Sequence, residues 1–385
     1  MQNRVGNTQP RNKLPAHVRS FGFHRLSRRA LCLSGLGCIV VGLGLHATGV
    51  VGAVQYVGTN YTRPAATVGQ TFLVRQNNFT DAVSWSPDGK LIASGGIHAP
   101  VEIWDATSGK TVLALPSHDG VLLAWSPDSH YVVTAGGIEP PVVGNGASSS
   151  ALPHAVSTAT VWNVHTGTPL VTYTGMTYMN AVAWSPDGTR IALAGSDGSG
   201  PAVHIVGALS GKRFLAYHKQ VVSRLAWSPD SHFLVSSIDS IIGGAFKRTL
   251  QIWNSATGAI RWSIPGAANA LAWSPDGTTI AYGDSETIKL LQVKTGITSV
   301  NSVLHTGVPL LALAWSPDGH FLAAAGGSPQ FPDPKGFALV KNLQTGSTIQ
   351  YRGHTLTVTA LAWSSSGDRL VTSSYDATVR VWDAH

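Results

Sequence analysis

Six aspartates, four histidines and seven tryptophans fall at spacings that suggest chemistry. Asp88, Asp128, Asp187, Asp230, Asp276 and Asp318 each follow a Ser-Pro pair. Arranged in a ring, such carboxylates would suit a metal ion. His118, His218, His305 and His354 each stand seven to ten residues before a tryptophan of a recurring phrase. Zinc would need three or four such ligands within about 2.0–2.3 Å. The tryptophans themselves, Trp85, Trp125, Trp184, Trp227, Trp273, Trp315 and Trp363, invite a ligand-cage reading. The plainer explanation wins each time. A turn aspartate is accounted for by hydrogen bonds to its own backbone. Residues that recur once per copy of a repeat lie too far apart to share one ion. There is no Gly-x-Ser-x-Gly elbow, no His-Glu-x-x-His and no phosphate-cradling loop. Both cysteines, Cys32 and Cys38, precede the repeats, so there is no disulfide framework and no thiol site. No metal, cofactor or catalytic residue is expected.

What positions these residues is a phrase repeated seven times. It runs from Val-Ser-Trp85-Ser-Pro-Asp-Gly to Leu-Ala-Trp363-Ser-Ser-Ser-Gly, and the tryptophans are 40, 59, 43, 46, 42 and 48 residues apart. A period in the forties marks stacked copies of one supersecondary unit. Each copy has an apolar run ending in Trp, then a Ser-Pro-Asp-Gly turn whose Pro, Asp and Gly suit successive turn positions. A β-rich run, a variable stretch, a third strand and a Thr-Gly or Ser-Gly turn follow. Four short strands per copy and seven copies predict an all-β, seven-bladed propeller over residues 71–385. The chain stops in the third strand of the seventh copy, at Trp382-Asp383. Residues 71–76 are therefore expected to supply the missing fourth strand and close the ring.

On these residues the chain resembles the WD40-repeat family. Trp104-Asp105 and Trp382-Asp383 carry the dipeptide that names it, and Trp162-Asn163 and Trp253-Asn254 are near variants. The last copy fits throughout, with Gly353-His354 followed by Ser374, Asp376 and Trp382. The resemblance implies that His354, Ser374, Asp376 and Trp382 form a buried hydrogen-bond chain. In the third copy Asp197 keeps the Asp place, but Met176 stands near the His place. The family implies a non-catalytic scaffold for protein partners. The alternative is a propeller enzyme or small-ligand binder working at the central channel.

The chain carries a formal +7 charge, yet its first acid is Asp81. Nine of the 26 Lys and Arg fall in residues 1–80, leaving 17 against 19 acids beyond them. The propeller is nearly neutral, so nucleic acid is not an expected partner. Residues 1–30 form a basic leader and residues 55–70 a linker. Residues 31–54 hold no charged residue. As a helix they would span about 36 Å, against roughly 30 Å of bilayer hydrocarbon. The basic flank should stay cytoplasmic and place the propeller beyond the membrane. Ser27-Arg28-Arg29-Ala30-Leu31 resembles a twin-arginine export signal, a bacterial-like feature, and Val51-Gly52-Ala53 is a small-residue cleavage candidate. Anchor and cleaved signal both remain open. The expected localisation is membrane-anchored or exported.

Loop lengths carry the functional expectation. The stretch from each third strand to the next repeat Trp is nearly constant. The stretch from the repeat Trp to its own third strand grows in copies 2, 4 and 6. One face of the propeller is therefore short and uniform, and the other elaborated. Binding residues concentrate on loops of a rigid scaffold. The expected partner-binding residues are Glu139, Asn145 and His154 in copy 2, Phe246, Lys247 and Arg248 in copy 4, and Phe331, Asp333 and Lys335 in copy 6.

Overall fold

The computed structural model describes residues 71–384, apart from 77–79, 97–98, 117–120, 137–156, 219, 243–244, 267, 284–285, 299–303 and 329–334. The basic leader, the apolar segment 31–54 and the linker lie outside the described residues. No helix among the described residues is long and apolar enough to cross a membrane.

The repeats fold as seven antiparallel sheets. Blade 1, for example, runs Ala82–Trp85, Leu91–Gly95, Val101–Asp105 and Thr111–Leu115 in simple meander order. Blade 7 is built differently. Its outermost strand is Thr71–Gln76, which pairs antiparallel with the chain's last strand, Thr378–Asp383. The innermost strands touch around the ring, including those of blades 7 and 1.

Each blade is a half-buried sheet with no core of its own, and the apolar side chains collect at the seams. Among the described residues seven buried clusters occur, one for each pair of neighbouring blades. The cluster between blades 7 and 1 joins Val371, Val379 and Val381 to Val83, Trp85, Ile92 and Trp104. The repeat tryptophans lie at these seams. Five of them also donate an indole N–H to the neighbouring blade: Trp125 to Ser84, Trp227 to Ala183, Trp273 to Ala226, Trp315 to Ala272 and Trp363 to Ala314, at 3.1–3.2 Å. Each acceptor is the carbonyl one residue before the neighbour's own repeat Trp. Trp184 instead bonds Gly188 in its own turn, and the Trp85 N–H is buried without an acceptor.

The closing strand is also held sideways. Arg75 is buried in it, and its guanidinium reaches blade 1, where it bonds Glu102 at 2.7 Å, Thr111 at 2.6 Å and the Gly109 carbonyl at 3.1 Å. It also lies 5.4 Å from the Trp104 ring centre, a cation–π distance. The seam where the two ends of the propeller meet thus has a charged tie beside its apolar packing.

The extra residues of blade 4 are not a loop. Phe233–Ile242 and Ala245–Asn254 form a ten-residue ladder in which Ile241 faces Phe246 and Ser240 faces Lys247. The insertion lengthens the hairpin beyond the five-residue strands of blade 1, and its connection is residues 243–244. Blade 6 divides its extra residues between longer strands, Phe321–Ser328 and Lys335–Asn342, and the connection 329–334. Blade 2 spends them on the connection 137–156, between Tyr131–Gly136 and Ser157–Asn163.

Candidate functional site

The two faces of the ring differ in how their polar groups are used. On the short-turn face the aspartates fold inward on their own turns. In the first copy, Ser86 Oγ donates to Asp88 at 2.7 Å, Lys90 N–H donates to the same carboxylate oxygen, and Leu91 N–H donates to Ser86 Oγ. The pattern recurs at Asp128, Asp187, Asp230, Asp276 and Asp318. At Asp187, burial pushes the carboxyl up. Hydrogen bonds from Ser185 and Thr189 and the charge of Arg190 outweigh it and hold the pKa at about 2. These carboxylates have local duties.

Two turns end in Ser where the others have Gly. Ser129 and Ser231 adopt positive φ, 63° and 61°, a conformation that favours glycine. Their hydroxyls offset the strain by accepting N–H bonds from the neighbouring turn, Asp88 to Ser129 at 2.9 Å and Asp187 to Ser231 at 3.0 Å. The Ser-Pro-Asp-Ser variants stitch blade 1 to blade 2 and blade 3 to blade 4.

On the other face, four blades place a described carboxylate at or near the end of the second strand, Asp197, Asp239, Glu286 and Asp376, each beside a His or Arg side chain. In blade 7, Asp376 Oδ2 lies 3.0 Å from His354 Nδ1 and accepts the Thr355 N–H at 2.8 Å. Its other oxygen accepts from Thr378. His354 Nε2 lies 2.7 Å from Thr372 Oγ1, which accepts the Trp382 indole N–H at 2.8 Å. With the ring proton on Nδ1 every group in this chain is satisfied. The His354 and Asp376 side chains are only 4% and 6% exposed. Burial would raise the Asp376 carboxyl, but bonds from His354, Thr378 and Thr355 pull it far below the usual carboxylate range. The relay hydroxyl is that of Thr372, not of Ser374 as the resemblance implied. Trp382 lies opposite Leu370 and its indole reaches diagonally to Thr372. Ser374, two residues further along the strand, accepts the Asp376 N–H and donates to the Leu356 carbonyl.

In blade 3, Asp197 has no histidine from the preceding loop. His204 of the third strand takes that place, with Nε2 3.0 Å from Asp197 Oδ2 and both side chains nearly buried.

In blade 4, Asp239 faces Arg248 across the long ladder, 3.1 Å from its Nε. Neither that Nε nor Asp239 Oδ1 has a hydrogen-bond partner, and both atoms are buried. Arg248 Nη1 instead donates to Asn269 of blade 5 at 3.0 Å. Burial raises the Asp239 carboxyl above its usual value, against the pull of Arg248 and Arg224. Arg224 projects from the innermost strand and is exposed. Its hydrogen bond among the described residues runs from Nη1 to the Ser223 carbonyl at 2.8 Å.

Arg248, expected to face a partner, is thus committed to bracing blade 4 against blade 5. Phe246 and Lys247 are strand residues, and Lys335 opens the third strand of blade 6 opposite Ser328. Glu139, Asn145, His154, Phe331 and Asp333 lie outside the described residues. His305 sits 3.6 Å from Glu286. Among the described residues no three His, Cys, Asp or Glu side chains are grouped to hold a metal. Arg75, His204, Arg224 and Thr372 were not anticipated. Arg224 had a signal: three residues before the repeat Trp, five copies have Ala (Ala82, Ala181, Ala270, Ala312, Ala360) and one has Leu122.

The family model described as "WD domain, G-beta repeat" matches residues 167–199, 211–254, 298–328 and 345–383. Each stretch begins in or just before the fourth strand of one blade and runs into the next. The chain carries WD40 repeats. A second model, "Eukaryotic translation initiation factor eIF2A", matches residues 66–147. Among curated proteins, the WD40 chain is 27% identical over 205 residues to "Cell division cycle 20.1, cofactor of APC complex" of Arabidopsis thaliana, covering 50% of this chain and 40% of that protein. It is 28% identical over 237 residues to the "Periodic tryptophan protein 2 homolog" of Dictyostelium discoideum, covering 58% and 24%. It is 34% identical over 130 residues to "Ribosome biogenesis protein YTM1" of Chaetomium thermophilum, covering 32% and 25%. The chain thus matches less than half the length of these relatives. They are eukaryotic and lend no support to the bacterial-like reading of the leader.

Proposed function

We propose that this WD40 propeller is a non-catalytic scaffold whose protein partner docks on the face bearing the connections of blades 2, 4 and 6. The observation that supports this most is the uneven use of the two faces. The Ser-Pro-Asp turns are uniform and internally bonded, whereas the residue 137–156 connection, the lengthened blade 4 hairpin and the residue 329–334 connection all join second to third strands, at the other end of the blades. WD40 relatives that carry names such as "cofactor of APC complex" are consistent with a binding role. The basic leader and uncharged segment 31–54 support presentation of the propeller at or beyond a membrane. Affinity capture from detergent extracts tests the face. A Phe246→Ala, Phe331→Ala variant should lose partners that the wild type retains, and identical partner sets would contradict the assignment. External protease on intact cells should digest the propeller; full protection would place it on the cytoplasmic side.

A further inference from the structure

We propose that blade 4, on this face, carries an acidic-peptide dock in which Arg224 is the anchoring cation. The inference rests on the face assigned above and names the chemistry of its partner. Two guanidinium groups, Arg224 and Arg248, share one nearby carboxylate, Asp239. Arg248 is spent on Asn269 and on the close Coulombic contact with Asp239. That leaves Arg224 as a net positive charge with one hydrogen bond to a main-chain carbonyl. Surrounding protein crowds Arg224 and lowers its hydration although part of its surface is exposed, and a carboxylate restores the lost interactions most fully because the planar fork binds it in bidentate fashion. Arg224 is exposed, so the fork is reachable. Five of the other six copies have Ala here, so the repeat does not need an arginine for packing. The occupant that fits this charge pattern is a segment of a partner protein carrying Asp or Glu.

The test is binding of fluorescein-labelled hexaglutamate to the full chain at low salt, read by anisotropy. Arg224→Ala should weaken binding by about tenfold, the scale of one good ion pair. Arg224→Lys should retain part of it, and Lys90→Ala on the opposite face should leave it unchanged. The Arg224→Ala melting temperature checks that the fold persists. Undiminished hexaglutamate binding by Arg224→Ala, or no binding by the wild type, overturns the proposal. Equal binding of an oligothymidylate of the same charge also overturns it, in favour of a general anion site. Because the assay reads Arg224 without the natural partner, a failure here is separable from a failure of the capture experiment.

Discussion

Blades 7 and 4 place a carboxylate at nearly the same point of the repeat and use it in opposite ways. Asp376 sits in a closed network: each oxygen accepts hydrogen bonds, and His354, Thr372 and Trp382 complete the chain. Asp239 sits in an open one, with a buried oxygen that accepts no hydrogen bond and two arginines around it, one of them exposed. A buried polar network that is fully satisfied rigidifies a structure, and one that is partly satisfied is costly. Blade 7 therefore reads as architecture. Blade 4 leaves its charges unevenly paired, and the proposed acidic segment would balance them.

The contrast can be broken at several points. Deleting residues 71–76 should have the largest effect. Blade 7 loses its outer strand and the Arg75 tie to blade 1, so the melting temperature should fall sharply, whereas blade 4 has no such dependence on a distant segment. An unchanged melting temperature would mean that the closing strand contributes nothing. Next, Asp376→Ala should cost about 3–5 kcal/mol in chemical denaturation, because it takes the carboxylate away from the buried His354 Nδ1 and removes the acceptor of the Thr355 and Thr378 N–H groups. A loss below about 1 kcal/mol would remove the relay's structural role.

Acid titration of stability separates the blades by sign. The folded-state pKa of Asp376 is depressed, so its contribution is present above the unfolded carboxylate pKa, about 4. It is lost as pH falls from there toward the folded value. Asp376→Asn should therefore lower stability at neutral pH and flatten the loss toward acid. The folded-state pKa of Asp239 is raised, so it favours the folded state more as pH falls through that value. Asp239→Asn should make the acid loss steeper. Parallel shifts in both variants would mean that the two carboxylates are equivalent. The smallest effect is expected of Arg224→Ala, which should stay within about 0.5 kcal/mol of wild type. A larger loss would make Arg224 part of the brace.

The propeller was legible in the sequence because its signal is repeated seven times, and errors in one copy are corrected by the others. The closing strand was readable from where the last copy stops. The relay in blade 7 was placed correctly except for its hydroxyl. Ser374 and Thr372 lie on one face of the same strand, and only the diagonal reach of the Trp382 indole chooses between them. Blade 4 departs from the loop expected of its insertion because insertion length does not say whether the inserted residues pair. The clue was present: Gly243-Gly244 between Ile241-Ile242 and Ala245-Phe246 is a hairpin turn signal. The indole bonds to neighbouring blades and the bonds of Ser129 and Ser231 depend on the rotation between blades, which no spacing encodes.

Everything proposed for blade 4 depends on which face of the propeller meets the partner. Hydrogen–deuterium exchange of the propeller, alone and with its captured partner, reads this directly. Slower exchange is expected in residues 137–156, 241–248 and 329–334, with the Ser-Pro-Asp turns unchanged. Protection confined to those turns, with the elaborated face exchanging as in the free protein, would contradict it.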